Sequence, residues 1–404
     1  MAFADWGREY IRLALRMEKL FPGFVDGYFG PPELKAEIDA EPVPTAAGLL
    51  RDAALLADAL PAQGYEPRRA TYLHKQVGAM ELTCRKLAGE AVSLADEVRL
   101  CFDIQPEWTP EAEFEEALAI YEATLPGDGN VEQRLGARRN RYELGPEKAH
   151  LVQGLMEQAM AEVRRRTLTF VDLPEGEGVT MKTVTGQPWG AYNWYLGNYR
   201  SAIELNTDLP TNASGLLEMM AHEGYPGHHV EHVLKEHLLY RGKGYLEQSI
   251  LLINTPECVI SEGIATLAAE MVFGPGEARE WLAQEVFPTA GIEPEYVDQA
   301  KLNRAAELLA GVRGNAVIML HGEGRPDDEV IRYLVKYGLL PEERARKSMS
   351  FLKSPLWRAY TFTYFYGRRL MLPLLQGEDR LHVFRRLLTE QVYPSLLLEW
   401  AKPS

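Results

Sequence analysis

The sequence contains few cysteines and no long apolar run. Its three cysteines, Cys84, Cys101 and Cys258, are an odd number without CxxC spacing, which argues against a disulfide framework and thiolate metal sites. No stretch approaches the roughly 18 apolar residues of a membrane span. Asp5 and Arg8 lie where a signal peptide would need its apolar segment. We therefore expect a cytoplasmic protein without a membrane partner.

Positive charge is also scarce. The chain of 404 residues has 43 Lys and Arg against 58 Asp and Glu, a net charge of −15. Such a chain repels phosphate backbones, so nucleic acid is not an expected partner. The apolar share of 46% and the charged share of 25% are ordinary for a globular protein. The length suffices for two lobes around a cleft.

Most of the sequence has apolar residues at helical spacing. This spacing predicts helices over 47–60, 72–87, 111–125, 146–166, 259–273, 295–320, 326–337 and 341–352. Between them, short segments rich in β-branched and aromatic residues predict a small antiparallel sheet of strands 179–184, 191–195 and 200–205. The predicted fold class is mainly α, with an N-terminal helical lobe over residues 1–166. The catalytic lobe, residues 167–404, holds the sheet, and the cleft lies between the two lobes.

Histidines are concentrated in one segment. Five of the nine histidines of the chain fall within residues 222–237. The segment 222–229 reads His-Glu-Gly-Tyr-Pro-Gly-His-His and follows a predicted helix. Metal-assisted hydrolysis needs neutral imidazoles to hold zinc and a carboxylate to take the proton of a water molecule. The segment therefore predicts a Zn²⁺ site with Glu223 as general base.

The spacing of the histidines differs from the usual HExxH motif. On an unbroken helix His228 would point about 240° away from His222. Pro226 opposes a regular helix there, so a widened turn could carry His228 or His229 back toward His222. Two alternatives remain at this stage. His228 and His232 could form a metal pair at regular helical spacing, or the histidines could belong to a solvated surface after a helix end.

A third ligand is expected from a later helix. Glu262 is the candidate because it lies in the otherwise apolar stretch 260–267, where a charge is expensive unless it is paired or bound to metal. The alternative is a salt bridge from Glu262 to an arginine. Glu257 and Glu270 are less favoured substitutes.

The segment 222–229 resembles the HExxPGHH signature of domain-of-unknown-function family 885, a group of predicted zinc peptidases. Weaker matches lie in the same order at 25–31, 125–129, 262–263, 320–321 and 364–367, so the resemblance spans nearly the whole chain. The chain departs from the family at Ile264, where a Trp is usual, and near Asn315, where an Asp is common. The resemblance implies a two-lobed helical zincin-like fold similar to carboxypeptidase Taq and angiotensin-converting enzyme.

The resemblance also implies roles for individual residues. The His-Glu-x-Gly-His pattern of those peptidases matches this segment if two residues are inserted, which favours His228 over His229 as the second ligand. The oxyanion donor is then Tyr364, or His321 as second choice. By the same resemblance, the strand that ends at Asn206 borders the cleft and pairs with an extended peptide. The implied metal ligands are His222, His228 and Glu262.

Several arginines lie on the C-terminal helices that are expected to face the site. Arg313 or Arg368 could hold a substrate carboxylate with a bidentate grip, which would favour carboxypeptidase action. The sequence thus predicts a zinc-dependent metallopeptidase that acts on oligopeptides or C-terminal residues. Two other functions remain open, namely a zinc hydrolase of a small non-peptide amide and a helical protein that binds metal or a partner without catalysis.

Overall fold

The computed structural model describes residues 5–187, 190–208 and 210–402. Within these residues helices predominate and the strands form only small sheets, which confirms the predicted mainly α fold class. The helices are α1 (Trp6–Leu20), α2 (Pro32–Ala40), α3 (Ala46–Ala59), α4 (Pro67–Leu87), α5 (Leu94–Phe102), α6 (Glu111–Thr124), α7 (Val131–Arg141), α8 (Ala149–Thr167), α9 (Leu216–Glu223), α10 (His228–Lys235), α11 (Pro256–Val272), α12 (Glu277–Trp281), α13 (Phe287–Ala290), α14 (Gln299–Leu308), α15 (Val312–Val317), α16 (Asp327–Lys336), α17 (Glu342–Lys353), α18 (Thr361–Met371), α19 (Arg380–Thr389) and α20 (Pro394–Trp400). The strands are β1 (Val25–Tyr28), β2 (Glu143–Leu144), β3 (Gly178–Val184), β4 (Ala191–Gly197), β5 (Arg200–Asn206), β6 (Thr211–Asn212) and β7 (Ile250–Leu252).

Local sequence signals explain where many helices begin. The side chains of Asp5, Thr45 and Ser93 each accept a hydrogen bond from a backbone amide three residues later. These contacts satisfy amides that have no partner within the first turn. Asn130 and Gln133 form a reciprocal capping box at the start of α7.

The segment predicted as one helix over 295–320 is divided in the structure. Helix α14 ends at Leu308, a 3₁₀ turn follows, and α15 continues into a π-helical turn over Ile318–Gly322. Gly311 lies at the division, where an added Cβ would come within 2.3 Å of Thr109 Oγ1. This close approach of another segment accounts for a break that the apolar spacing did not reveal.

The three-stranded sheet has the order β3-β5-β4. Strands β4 and β5 form the predicted antiparallel hairpin, and their two-residue turn has Asn198 and Tyr199 at φ 53° and 63°. Such a turn matches the twist of the two strands. Strand β3 occupies the other edge of β5 and runs parallel to it, so this one pairing differs from the antiparallel expectation. Strand β5 is therefore central and β4 is an edge strand.

Two large apolar cores flank helix α11. The first core joins side chains of α1, α3, α4, α8, α9 and α19 to Ile260 and Ile264 of α11. The second core lies among α5 and α15 to α18, and it includes Val259 of α11. The first core contains residues from both predicted lobes. Helix α11 therefore has a fixed place between the cores, which also fixes the position of Glu262.

The cysteines are free thiols buried in the interior. Burial raises the pKa of Cys84, Cys101 and Cys258 to about 12, so little thiolate is present at neutral pH. Among the described residues no single helix has the length and hydropathy of a membrane span, although the bent pair Pro256–Val272 and Glu277–Ala290 meets those criteria when taken together.

Candidate metal centre

The histidine segment spans the end of α9 and the start of α10. Helix α9 ends at Glu223, and the non-helical residues 224–227 precede α10, which begins at His228. The Tyr225–Pro226 peptide bond is cis. The amide of Gly227 donates to the carbonyl of Ala221 at 3.0 Å, which brings the start of α10 back beside the end of α9.

Gly227 allows the two helix ends to approach this closely. An added Cβ at Gly227 would lie 2.0 Å from the carbonyl oxygen of His222 and 2.4 Å from that of Ala221. No other residue fits at these distances without a backbone shift. The glycine after Pro226 is therefore needed for the turn that relates His222 to His228.

The side chains of His222, His228 and Glu262 converge. One potential ligand atom from each lies within 4.8 Å of the other two. Glu262 Oε2 is 3.6 Å from His222 Nε2 and 3.9 Å from His228 Nε2. Ligand atoms around a tetrahedral zinc lie roughly 3.3 Å apart, given bonds of about 2 Å. Two imidazoles and a carboxylate at this spacing form a donor set that suits zinc.

One oxygen of Glu262 points to the same conclusion. Oε1 accepts a hydrogen bond of 2.7 Å from the hydroxyl of Tyr360. Oε2 is buried and has no hydrogen-bond partner among the described residues. An unsatisfied buried carboxylate oxygen is costly, and a cation beside it would remove that cost. Because Oε2 is the atom that faces both histidines, the residues present fit a bound metal ion.

The charge states of the three side chains are compatible with metal binding. Burial lowers the pKa of His222 to about 4 and also lowers the pKa of His228. Both imidazoles are thus neutral at pH 7, the form that binds metal. Burial raises the pKa of Glu262 to about 7, and the hydroxyls of Tyr360 and Tyr364 oppose this shift.

Glu223 lies in the same cavity as the three converging side chains. Burial raises its pKa to about 8, and the charges of Glu262 and Asp26 add to the shift. Its backbone carbonyl accepts a hydrogen bond from the side-chain amide of Asn193 on β4. A carboxyl group with a pKa near neutrality is suited to proton transfer.

The cavity has a volume of about 320 Å³. Strands β1, β4 and β7 and helices α9, α10, α11 and α18 contribute to its walls. Part of the lining is apolar or aromatic and includes Leu251, Leu252, Ile253, Phe351 and Trp357. The three converging side chains and the acidic groups thus share the cavity with a surface suited to an apolar side chain.

A second, larger cavity of about 1010 Å³ adjoins the first at Tyr364, which lines both. Trp108 and Phe365 contribute aromatic surface to it. Arg369 is 3.8 Å from Glu107 within its walls. Tyr364 therefore lies between the candidate metal centre and a groove with both aromatic and charged groups.

Helices α11 and α18 cross closely, and this places the tyrosines beside Glu262. Gly263 and Gly367 meet at the crossing, where an added Cβ on Gly367 would lie 2.7 Å from the amide nitrogen of Gly263. Glycines allow such an approach of two backbones. Tyr364 lies one turn before Gly367, and its hydroxyl lowers the pKa of Glu262.

The structure distinguishes the histidines that the sequence left open. His229 is completely buried, and both of its ring nitrogens are engaged, Nδ1 with Ser201 Oγ at 2.8 Å and Nε2 with Glu177 Oε2 at 3.0 Å. The ring of His232 stacks parallel to that of His228, with centroids 6.0 Å apart. Among the described residues, the set with three converging ligand atoms contains His228 and neither His229 nor His232.

Two predicted residues lie outside the cavity lining. His321 is in the π-helical turn, and its Nε2 contacts the carbonyl of Leu352 at 2.9 Å. Asn206 ends the central strand β5, and its amide donates to the carbonyl of Gln187 at 2.8 Å. Within the three-stranded sheet, the strand that lines the cavity is β4, through Ala191, Tyr192 and Asn193. The hairpin turn explains this difference, because it makes β4 the edge strand of the sheet and leaves β5 as the central strand.

The predicted arginines do not line the cavity either. The guanidinium group of Arg368 is 2.7 Å from Glu270 and 2.9 Å from Glu307. The side chain of Arg313 is exposed on α15, and this residue is also outside the lining. In the described part of the chain, no arginine or lysine lines the cavity that contains His222, His228 and Glu262. Because Glu270 forms an ion pair with Arg368, it is not a substitute for Glu262 as a metal ligand.

Several residues of the site were missed in the sequence. Asp26 of β1 and Tyr192 of β4 line the cavity and form a hydrogen bond to each other. Ser261 contacts His228 Nδ1 at 3.0 Å. Tyr360 precedes Tyr364 by one helical turn, and this i, i+4 spacing is the one signal that could have identified it.

Comparisons with known proteins bear on the fold. No family model matches the chain, and no curated protein matches it either. A crystal structure described as "the putative lipoprotein from Colwellia psychrerythraea" is similar over 89% of this chain and 70% of that chain, with a TM-score of 0.56 and 16% sequence identity. At this identity the similarity concerns the fold alone.

Proposed function

We propose that this protein is a zinc-dependent metallopeptidase and a relative of domain-of-unknown-function family 885. The observation that carries the proposal is the convergence of His222, His228 and Glu262. The buried Oε2 of Glu262 faces both histidines and has no hydrogen-bond partner in the part of the chain that the structure describes. Glu223, the residue after the first histidine, lines the same cavity. This is the donor set and the acid-base group that metal-assisted hydrolysis requires.

Zinc held by these three side chains would supply a Lewis acid and a water molecule of lowered pKa. Glu223 would act as general base, taking a proton from the attacking water and passing it to the leaving amine. The pKa of this residue is already close to neutrality because of burial. A carboxylate in this role contributes about 10²- to 10⁴-fold to the rate.

Tyr364 is the proposed donor to the developing oxyanion. It lines the cavity, and its hydroxyl acts on Glu262, so the phenol lies close to the reacting centre. Burial raises the pKa of Tyr364 well above its ordinary value, so the hydroxyl keeps its proton at neutral pH. Preorganised donors of this kind typically contribute 10²- to 10³-fold.

The proposed substrate is a peptide in extended form. The first three residues of the edge strand β4 line the cavity, and an edge strand can pair with a peptide backbone. Leu251, Phe351 and Trp357 provide an apolar surface for one side chain. Arg368 forms ion pairs with two glutamates, so we do not propose that it binds the C-terminal carboxylate of a substrate.

The test combines metal analysis with a peptide-library digest read by mass spectrometry. We expect about one zinc per chain and cleavage of peptides by the wild-type protein. Glu223→Gln should keep zinc and lose activity by about 10²- to 10⁴-fold. The matched control is Glu218→Gln, which changes an exposed residue of the same helix and should leave activity unchanged.

Two outcomes would contradict the proposal. Activity that survives Glu223→Gln would defeat the proposed mechanism. A zinc-loaded protein that cleaves no peptide in the library would defeat the peptidase function.

A further inference from the structure

A chain of hydrogen bonds runs behind His228, away from Glu262. His228 Nδ1 is 3.0 Å from Ser261 Oγ. The hydroxyl of Ser261 in turn donates to Glu231 Oε2 at 2.6 Å. Ser261 precedes Glu262 on α11, and Glu231 lies one turn after His228 on α10. Helices α10 and α11, which carry two of the proposed metal ligands, are thus also joined by these hydrogen bonds.

Glu231 is held as an acceptor by a buried lysine. Its Oε1 accepts a hydrogen bond of 2.7 Å from Lys235 Nζ, and the same ammonium donates to Glu257 Oε1 at 2.8 Å. Glu257 also accepts a hydrogen bond of 2.6 Å from Tyr72. The side chain of Glu231 is only 1% exposed. With both oxygens already accepting, Glu231 has a fixed orientation toward Ser261.

The hydrogen-bond directions determine the tautomer of His228. A serine hydroxyl has one hydrogen, and that of Ser261 is given to Glu231. Ser261 Oγ can therefore only accept from the imidazole, so His228 carries its proton on Nδ1. The lone pair is then on Nε2, the atom that lies 3.9 Å from Glu262 Oε2.

We propose that Ser261 and Glu231 are positioning residues for His228. Their hydrogen bonds hold the ring in the Nδ1–H tautomer, with Nε2 directed at the proposed metal position. The carboxylate of Glu231, acting through the hydroxyl of Ser261, makes the imidazole a stronger ligand for the metal. Groups that act on a metal ligand in this way typically change metal affinity by 10- to 100-fold. The inference rests on the proposed metal centre and adds two residues to it.

The neighbouring histidine provides a matched control. His229 Nδ1 contacts Ser201 Oγ at 2.8 Å, a bond of the same type. Its Nε2 contacts Glu177 rather than the three converging ligand atoms. Removing the hydroxyl of Ser201 therefore removes a buried serine-histidine bond without affecting a proposed ligand.

The experiment measures the zinc dissociation constant by competition with a chelator at pH 7.5. We expect Ser261→Ala to raise this constant about 10- to 100-fold, and Ser261→Thr, which keeps a hydroxyl, to restore most of the affinity. Ser201→Ala should leave the constant within about threefold of the wild-type value. An unchanged constant for Ser261→Ala, or equal losses for both serine variants, would overturn the proposal.

A second measurement needs no stable variant at Ser261. Nuclear magnetic resonance of the zinc-free wild-type protein with ¹⁵N-labelled histidine distinguishes the two tautomers of a neutral imidazole. The spectrum of His228→Gln identifies the signals of His228. We expect Nδ1 to be protonated. Protonation at Nε2 would overturn the proposed role of Ser261 and Glu231 as positioning residues. If the wild-type protein binds no zinc, the proposed function fails. The tautomer of His228 still tests the positioning role of Ser261 and Glu231 separately.

Discussion

Glu223 links the candidate site to folding stability. Burial raises its pKa from 4.5 to about 8, so the folded protein keeps this proton to a higher pH than the unfolded chain does. The stabilisation from the protonated form is therefore lost as the pH rises toward 8. The lowered pKa of His222, from 6.5 to about 4, acts in the opposite direction, but most of its contribution is gained below pH 6.5. Between pH 6.5 and 8 the main effect is therefore the loss of stability as the buried carboxyl groups give up their protons.

We therefore expect the zinc-stripped protein to lose stability between pH 6.5 and 8. Glu223 alone accounts for about 1–2 kcal/mol of the free energy of unfolding over this range. Urea denaturation in the presence of a chelator measures the loss, and Glu223→Gln should remove this part of it. Equal losses in the wild type and the variant would show that Glu223 does not titrate in this window.

Tyr360 and Tyr364 are expected to have separable effects although they are one helical turn apart. Tyr360 donates to Glu262 Oε1, so Tyr360→Phe should weaken zinc binding. Tyr364→Phe should weaken zinc binding less than Tyr360→Phe and lower kcat by about 10²- to 10³-fold, with a smaller change in KM. Steady-state kinetics on zinc-loaded variants checks this. A similar loss of zinc in both variants would contradict the assignment of Tyr364 to the reaction.

Residue identities could be predicted better than residue contacts. The sequence indicated His222, Glu223 and Glu262 because of their spacing and because a charge is costly in an apolar helix. The choice between His228 and His229 was not accessible from spacing alone. It depends on the contacts of His229 with Ser201 and Glu177, which lie in strand β5 and in the segment before β3.

At the scale of elements, the crossing of α11 and α18 determines how close Tyr364 comes to Glu262. Gly367 is the critical residue, because an added Cβ would lie 2.5 Å from the carbonyl oxygen of Val259. We expect Gly367→Ala to separate the helices and to lower the free energy of unfolding by about 1–3 kcal/mol. Thermal or urea denaturation measures this change.

A second glycine provides the control for that prediction. Gly154 is exposed within α8, and nothing lies within 4 Å of an added Cβ. Gly154→Ala should therefore stabilise the protein by about 0.5–1 kcal/mol through helix propensity. A gain in stability for Gly367→Ala as well would contradict the close crossing.

The elements also show where pattern reasoning fails. Helical spacing located α3, α6, α16 and α17 within a few residues, since their apolar faces are continuous. The sheet was predicted from composition, which contains no information on strand order. The turn at Asn198 and Tyr199 decides that order, because it folds β4 onto one edge of β5 and leaves the other edge to β3.

For the whole molecule, the proposed ligands connect three helices that belong to a shared core. His222 comes from α9, His228 from α10 and Glu262 from α11. Zinc that binds the folded chain and not the unfolded chain should stabilise it by about 4 kcal/mol when its free concentration is 1,000 times the dissociation constant. Thermal melting with zinc and with a chelator measures this effect. His222→Ala should lose the difference, and a difference that persists would contradict the site.

Arginines of the C-terminal helices have partners that the sequence does not reveal. The arginines on the C-terminal helices suggested a grip on a carboxylate, but in an acidic protein many cations already have partners. Arg368 binds two glutamates, and Arg358 contacts Glu97 at 2.5 Å. Such pairings depend on long-range packing and cannot be inferred from the position of an arginine in the sequence.

The position of Tyr364 between the two cavities has a consequence for the design of ligands. A compound seated in the larger groove could reach this phenol without a chelating warhead. Its selectivity over proteins with the same three converging side chains would come from Trp108 and Phe365, which belong to the groove. Fragment screening against the groove is therefore a practical starting point for probes that are specific for this protein.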